Sequence, residues 1–368
     1  MPSSGFFLRK KPHGTMLDTP HEFENRRSEV NDVAVNETLQ KEDVEMKWEH
    51  LIKPLSSGSI TWPATSAEKQ RQMQSDMRMP RPAGNAEQIW LKGNEHLEGM
   101  DVNWHWRVLN SVGDFGWNKH SHPYPQCLFF VGLDTANVTY LGAEVECRLG
   151  AEGESYSFDE PTVVMIPPGV PHGPVVTKRL FSPRGFGCFA VDLNAVLDVT
   201  WSGENGVSTP AVQSAGRYAH LVKSLKAGVV VQGGKLNPAR LDGGEFKRGP
   251  GSPDQLTWMS GKDLGEINLS IAWGFCSQPG IWQRGADAHV HPSDVALIVL
   301  GTDPKSESFG GEVEIDLGEE HERYLIDKSC VIACRAGVPH GPIVTRWVEK
   351  PFAFVLIGLA ADLSMSAA

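Results

Sequence analysis

Two pairs of histidines, each split by a single residue, carry the most evident chemistry in this sequence: His120-Ser-His122 and His289-Val-His291. Residues i and i+2 of a strand point to the same face, so each pair can offer two imidazoles to one ion. A third histidine follows in each half, His172 and His340, inside the same run Gly-Val-Pro-His-Gly-Pro. The glycine and proline make a tight turn that fixes where the histidine after them points. Six of the 13 histidines thus fall into two matched sets. A lone histidine is more often a satisfied core residue than a ligand, and an isolated H-x-H is weak, but two matched sets reverse that balance. Imidazoles with positions left open suit a divalent transition metal: Fe, Mn, Ni, Cu or Zn.

The histidines belong to a longer internal repeat. Met165–Thr177 (MIPPGVPHGPVVT) returns as Ala333–Thr345 (ACRAGVPHGPIVT), and LGAEVECRLGAEGE from Leu141 matches FGGEVEIDLGEEHE from Phe309. The offsets are 169 at the first histidines (289 − 120) and 168 at the third (340 − 172), so the blocks align with one single-residue gap. Trp104 and Trp273 share the offset of 169 (273 − 104). A period this long marks a duplicated domain and not a solenoid.

The elements that must hold these residues read as strands. CLFFVGL (127–133) and VALIVLG (295–301) are short apolar runs bounded by turn residues, while AEVECRL and GEVEIDL alternate with period two. With 38 glycines and 25 prolines between many short strands, the chain is expected to be all-β, as a sandwich or barrel in each copy. The expected organisation is an arm over 1–84, partly helical or disordered, a first domain over 85–201, a Gly/Pro/Ser-rich connection over 202–255 and a second domain over 256–368.

Composition narrows the function classes. The chain has 368 residues, 40% hydrophobic and 21% charged, with 34 basic and 45 acidic side chains for a net charge of −11. That balance argues against nucleic acid and against an anionic membrane surface. No apolar stretch is long enough to span a bilayer and no secretory leader is evident, so a cytoplasmic location is expected. The six cysteines lie mostly among strand-like apolar residues. Cys330 and Cys334, with three residues between them, could form a metal or redox pair, although two small buried hydrophobes on a strand is the favoured reading.

The constellation resembles the cupin superfamily over about residues 100–195 and 265–360, and a chain with two such domains is a bicupin. In that family a jelly-roll barrel (a double-stranded β-helix) holds a metal through H-x-H, a glutamate a few residues on, and a histidine in a second motif. The resemblance implies ligands His120, His122 and His172 in one copy and His289, His291 and His340 in the other. The chain departs from the pattern at the glutamate, where it has Gln126 and Val295; Asp294, one residue earlier, is matched by Pro125. Glu144 and Glu312 recur at the start of the next strand and are candidates as ligands or as partners of ligands. Glu146 and Glu314 recur two residues on, and all four could instead decorate an exposed strand face. Arg335 could clamp a substrate carboxylate, although a surface ion pair is favoured.

Duplicated members include oxalate decarboxylases and gentisate-type ring-cleaving dioxygenases. The resemblance therefore implies a metal-dependent enzyme acting on a small molecule, foremost a dioxygenase with iron and a hydroxylated aromatic or carboxylate substrate. The alternatives are a non-redox decarboxylase, isomerase or hydrolase, or a non-catalytic small-molecule-binding bicupin. It also implies a homo-oligomer.

Overall fold

The structure, a computed structural model, describes residues 46–55, 88–114, 119–201, 212–213, 216–229, 249–283, 288–303, 306 and 308–367. Most of the expected arm, and with it the question of helix or disorder there, lies outside the described residues. Four sheets form two β-barrels of the double-stranded β-helix kind, one per copy. Among the described residues all strand pairs are antiparallel except Val212–Gln213 with Glu154–Phe158.

In barrel 1 the inner sheet runs Val222–Ser224, Thr162–Ile166, Gln126–Gly132, Phe186–Asp192, Asn103–Leu109, Gln88–Leu91 in spatial order. Its outer sheet runs Thr200–Trp201, His120–Ser121, His172–Leu180, Ala143–Leu149, Glu154–Phe158, Val212–Gln213. In barrel 2 the inner sheet runs Ile52–Pro54, Cys330–Cys334, Val295–Leu300, Phe352–Gly358, Ser270–Cys276, Gln255–Met259, Lys226–Val229. Its outer sheet runs Glu322–Lys328, Ser308–Leu317, His340–Val348, His289–Val290, Ser366–Ala367.

The two inner sheets pack face to face, which is why their strands read as continuous apolar runs: both faces are buried. Along Ser270–Cys276, Ile271, Trp273 and Phe275 enter the core shared by the barrels, while Ala272 and Cys276 enter the interior of barrel 2. The shared core centres on aromatic rings. Trp273 lies 5.3 Å from Trp106 and 6.1 Å from Phe189, which in turn stacks 4.8 Å from Phe129. The six cysteines are buried free thiols; Cys330 and Cys334 face the interior of barrel 2, and burial pushes both thiols up to about 12. They are core residues.

Strand register corrects one equivalence. Trp273 pairs with Val355, which pairs with Ile298; Trp106 pairs with Phe189, which pairs with Phe129. The structural counterpart of Trp273 is therefore Trp106, not Trp104. The second copy has two more residues between Ile281 and His289 than the first has between Asp114 and His120.

The repeat also begins earlier than the histidine blocks suggest. WEHLIKPL (48–55) returns as YAHLVKSL (218–225), and each segment docks on the opposite copy's barrel. Ile52–Pro54 pairs with Cys330–Cys334 of barrel 2, and Val222–Ser224 pairs with Thr162–Ile166 of barrel 1. A tyrosine receives each segment. The Trp48 N–H donates to the Tyr324 hydroxyl (3.1 Å), which donates to Glu322 (2.6 Å); the Tyr218 N–H donates to the Tyr156 hydroxyl (2.8 Å), which donates to Glu154 (2.6 Å). Part of the expected arm thus completes barrel 2, and part of the expected connection completes barrel 1.

Candidate metal centres

Pairing brings each triad together. His120 sits in register with His172, and His289 with His340, where short strands meet the long strand that follows Gly-Val-Pro. The second member of each H-x-H lies in the turn just beyond, pinned by a main-chain bond from Gly169 to the His122 carbonyl (2.7 Å) and from Gly337 to the His291 carbonyl (2.9 Å). In each set the ligand-capable nitrogens all lie within 4.8 Å of one another.

The tautomers are fixed in the same way in both copies. A carbonyl only accepts, so a ring nitrogen facing one must carry the hydrogen, leaving the other nitrogen with its lone pair. His122 Nδ1 faces the Asp198 carbonyl at 2.9 Å and His172 Nδ1 the Val170 carbonyl at 3.1 Å. Their counterparts are His291 Nδ1 with Ser364 (2.7 Å) and His340 Nδ1 with Val338 (3.0 Å). Four Nε2 lone pairs are thereby aimed, two into each site, by bonds of the kind that orient metal-binding imidazoles.

His172 Nε2 is buried and has no partner, and His289 Nδ1 is likewise buried without one. Burial and the neighbouring imidazoles hold His172 well below the usual histidine range, and burial first holds His289 down at about 3 and His340 at about 4. These rings are neutral at pH 7. Clustered lone pairs without donors are expensive to bury, and a cation satisfies them together. The residues fit a divalent transition metal at both triads.

Glu144 and Glu312 are not part of this arrangement. Leu149 pairs with His172 and Leu317 with His340, and each glutamate lies five residues back along the same strand as its leucine. An odd spacing puts it on the opposite face, roughly 16 Å along the strand. The odd-numbered residues fill the barrel, whereas Glu144 pairs with Arg179 (3.4 Å) on the outside. Glu146 binds Arg148 and Lys178, and Glu314 binds Arg323 and Arg346, on the same outer faces. Arg335 likewise forms an ion pair, with Asp294 (3.0 Å), and also reaches the Glu98 carbonyl.

The position of the usual glutamate differs between the barrels. Gln126 Nε2 stands 3.2 Å from His122 Nε2 and 2.7 Å from Asp192 Oδ1, and Asp192 is in register with Gln126 on the next strand. Burial pushes the Asp192 carboxyl up, against the pull of His122 and Gln126. Beside the same site Tyr124 stacks 5.1 Å from His122 and accepts from the Asp198 N–H. Asn103, His105 and Arg107 continue the polar lining along the neighbouring strand, all buried. Asp192 carries no sequence motif and lies 66 residues from Gln126, which is why sequence patterns missed it.

In barrel 2 Val295 stands opposite Gly358, and Ser270, Ala272 and Gly274 replace the polar series. There the triad opens on a cavity of about 860 Å³, counted with its mouth, lined by Leu256, Trp258, Trp282, Leu297, Phe354 and Leu356 among others. Trp282 is held upright by its N–H bond to Thr345 Oγ1 (2.7 Å), which donates in turn to the Gly251 carbonyl (2.8 Å).

No family model matches the sequence, and no curated protein matches it. Among solved structures it is similar to Bacillus subtilis oxalate decarboxylase, in a structure concerned with that enzyme's Mn(II) centres, at 9% identity over 77% of this chain and 75% of the other, with a TM-score of 0.47. A structure concerned with the substrate-binding mode and reaction-specificity switch of oxalate decarboxylase is similar at 9% identity over the same shares, with a TM-score of 0.48. The two-barrel architecture of this chain stands on its own strand order and its two histidine triads.

Proposed function

We propose that this chain is a metal-dependent enzyme that works at barrel 2, oxygenating a small and largely apolar organic molecule that carries an oxygen-bearing head. The observation that carries this reading is the apolar cavity opening directly onto the His289, His291 and His340 triad. A bound divalent transition metal, with iron the leading candidate, supplies Lewis acidity and an electron conduit.

The chain's residues supply the rest. The three imidazoles would hold the ion, with Nδ1 of His291 and His340 tied back to carbonyls. Trp258, Trp282 and Phe354 present aromatic surface that suits a flat or hydroxylated aromatic body, and they exclude water from the reacting end. Among the described lining residues the polar ones besides the histidines are Ser252 and Gln283, and the Ser252 hydroxyl is already donating to the Gly249 carbonyl. Without a described carboxylate or lysine to move protons, the lining favours chemistry centred on the ion over acid–base hydrolysis or decarboxylation.

The test is oxygen uptake by Fe(II)-loaded protein against a panel of hydroxylated aromatics, aromatic acids and short carboxylates. Uptake coupled to product, lost in His291→Ala, is expected. Turnover without oxygen uptake would install the non-redox reading. Saturable binding with no turnover would make the chain a binding protein.

A further inference from the structure

Barrel 1 holds a group at its triad that barrel 2 lacks. The Asp198 carbonyl keeps the hydrogen of His122 on Nδ1, so His122 Nε2 can only accept. Gln126 Nε2 lies within reach of that lone pair and of Asp192 Oδ1 at once, and an amide nitrogen carries two hydrogens, one for each. With Asp192 as a carboxylate, turning the amide over would set its oxygen against a carboxylate oxygen and an imidazole lone pair together, two contacts between acceptors. Asp192 therefore fixes the donor end of Gln126 toward the triad, and an amide N–H is not a metal ligand.

We propose that Gln126, positioned by Asp192, guards barrel 1: its N–H occupies the ligand lone pair of His122, a metal ion must displace it, and barrel 2 fills first. The proposal rests on reading both triads as metal sites. Gln126 acts on metal binding and Asp192 acts through Gln126. In barrel 2 the equivalent residues, Val295 and Gly358, offer no such donor, and His291 Nε2 stays free to bind. The two halves of one chain then answer to different metal concentrations.

Zn(II), redox-inert and diamagnetic, is the probe. The His291→Ala chain reports barrel 1 and the His122→Ala chain reports barrel 2, each titrated in competition with a chromophoric chelator. Barrel 1 is expected to bind about tenfold more weakly, the scale of one hydrogen bond displaced. Adding Gln126→Val to the His291→Ala chain should recover most of that factor. A ligand role for Gln126 predicts the reverse, so weaker binding in that variant, or no change, overturns the guard while leaving the metal reading intact.

NMR on the unmutated chain needs no variant to fold. The Gln126 side-chain amide signal should change mainly with the second Zn(II) equivalent, because a tenfold preference leaves only about a quarter of barrel 1 filled after the first; half or more of the change arriving with the first overturns the proposal. If neither single-site chain takes up Zn(II), the metal reading falls and the guard falls with it.

Discussion

The two barrels share a frame and differ in what they enclose. Each has a histidine pair and third histidine, carbonyls that fix the imidazoles, a tyrosine that receives the other copy's segment, and an inner sheet packed on its twin. At matched lining positions barrel 1 has Gln126, Asp192, Asn103, His105 and Arg107 where barrel 2 has Val295, Gly358, Ser270, Ala272 and Gly274. Burial pushes Arg107 down to about 10, the cost of keeping a cation inside a barrel. The frame brings three imidazoles together in both halves, and the lining around them differs. Equal triads can therefore have unequal work.

The sharpest way to break this comparison is to remove one triad at a time. His291→Ala should take oxygen-coupled turnover to background, while His122→Ala should keep most of it; the reverse result would move the chemistry to barrel 1. Next in size is the shared core. Trp273→Ala and Trp106→Ala should each cost about 3–5 kcal/mol in denaturant unfolding, as large buried aromatics do. The rings touch across the interface, so the double variant should cost clearly less than the sum. Additive costs would mean that the barrels do not support each other.

A pH series sharpens the comparison at the next scale. His340 stays neutral in the folded metal-free chain until about pH 4, whereas an unfolded histidine takes up its proton below about 6.5. The folded value is the lower one, so stability is full above pH 6.5 and is lost as the pH falls from 6.5 toward 4. At pH 5 the deficit from this one ring is about 2 kcal/mol, and His340→Gln should flatten that part of the profile. His172, also held low, should give the same sign in barrel 1. A profile unchanged by both variants would contradict buried, neutral triads. The smallest effect belongs to the exchanged segments. Tyr324→Phe and Tyr156→Phe each remove two hydrogen bonds of one hydroxyl and should cost about 1–2 kcal/mol, with the penalty in each case falling on the barrel that receives the segment.

Much of this was legible in sequence wherever the rule was local. The repeat and the local motifs single out the three imidazoles of each triad, while the pairing of His120 with His172 and of His289 with His340 is what brings the third to the other two. Glu144 and Glu312 show where that runs out. Counting within their own strand relates each to the next glutamate, but which face looks at the histidines depends on Leu149 meeting His172 and Leu317 meeting His340, a pairing no local pattern states. The role of Asp192 is of the same kind, since only the sheet brings it beside Gln126. The repeated WEHLIKPL and YAHLVKSL were readable as a pair, yet nothing in either segment says that it docks on the other barrel. The cavity was the least legible, because it depends on small residues such as Ala272 standing where barrel 1 has His105.

Anomalous X-ray scattering at the metal edge, from crystals of the full chain grown with one equivalent of Fe(II) or Mn(II), tests the central claim most directly. The account predicts the stronger peak among the ring nitrogens of His289, His291 and His340, with about three times the occupancy of barrel 1, which fills further only at higher metal. A first peak at His120, His122 and His172, or none at either triad, would contradict it.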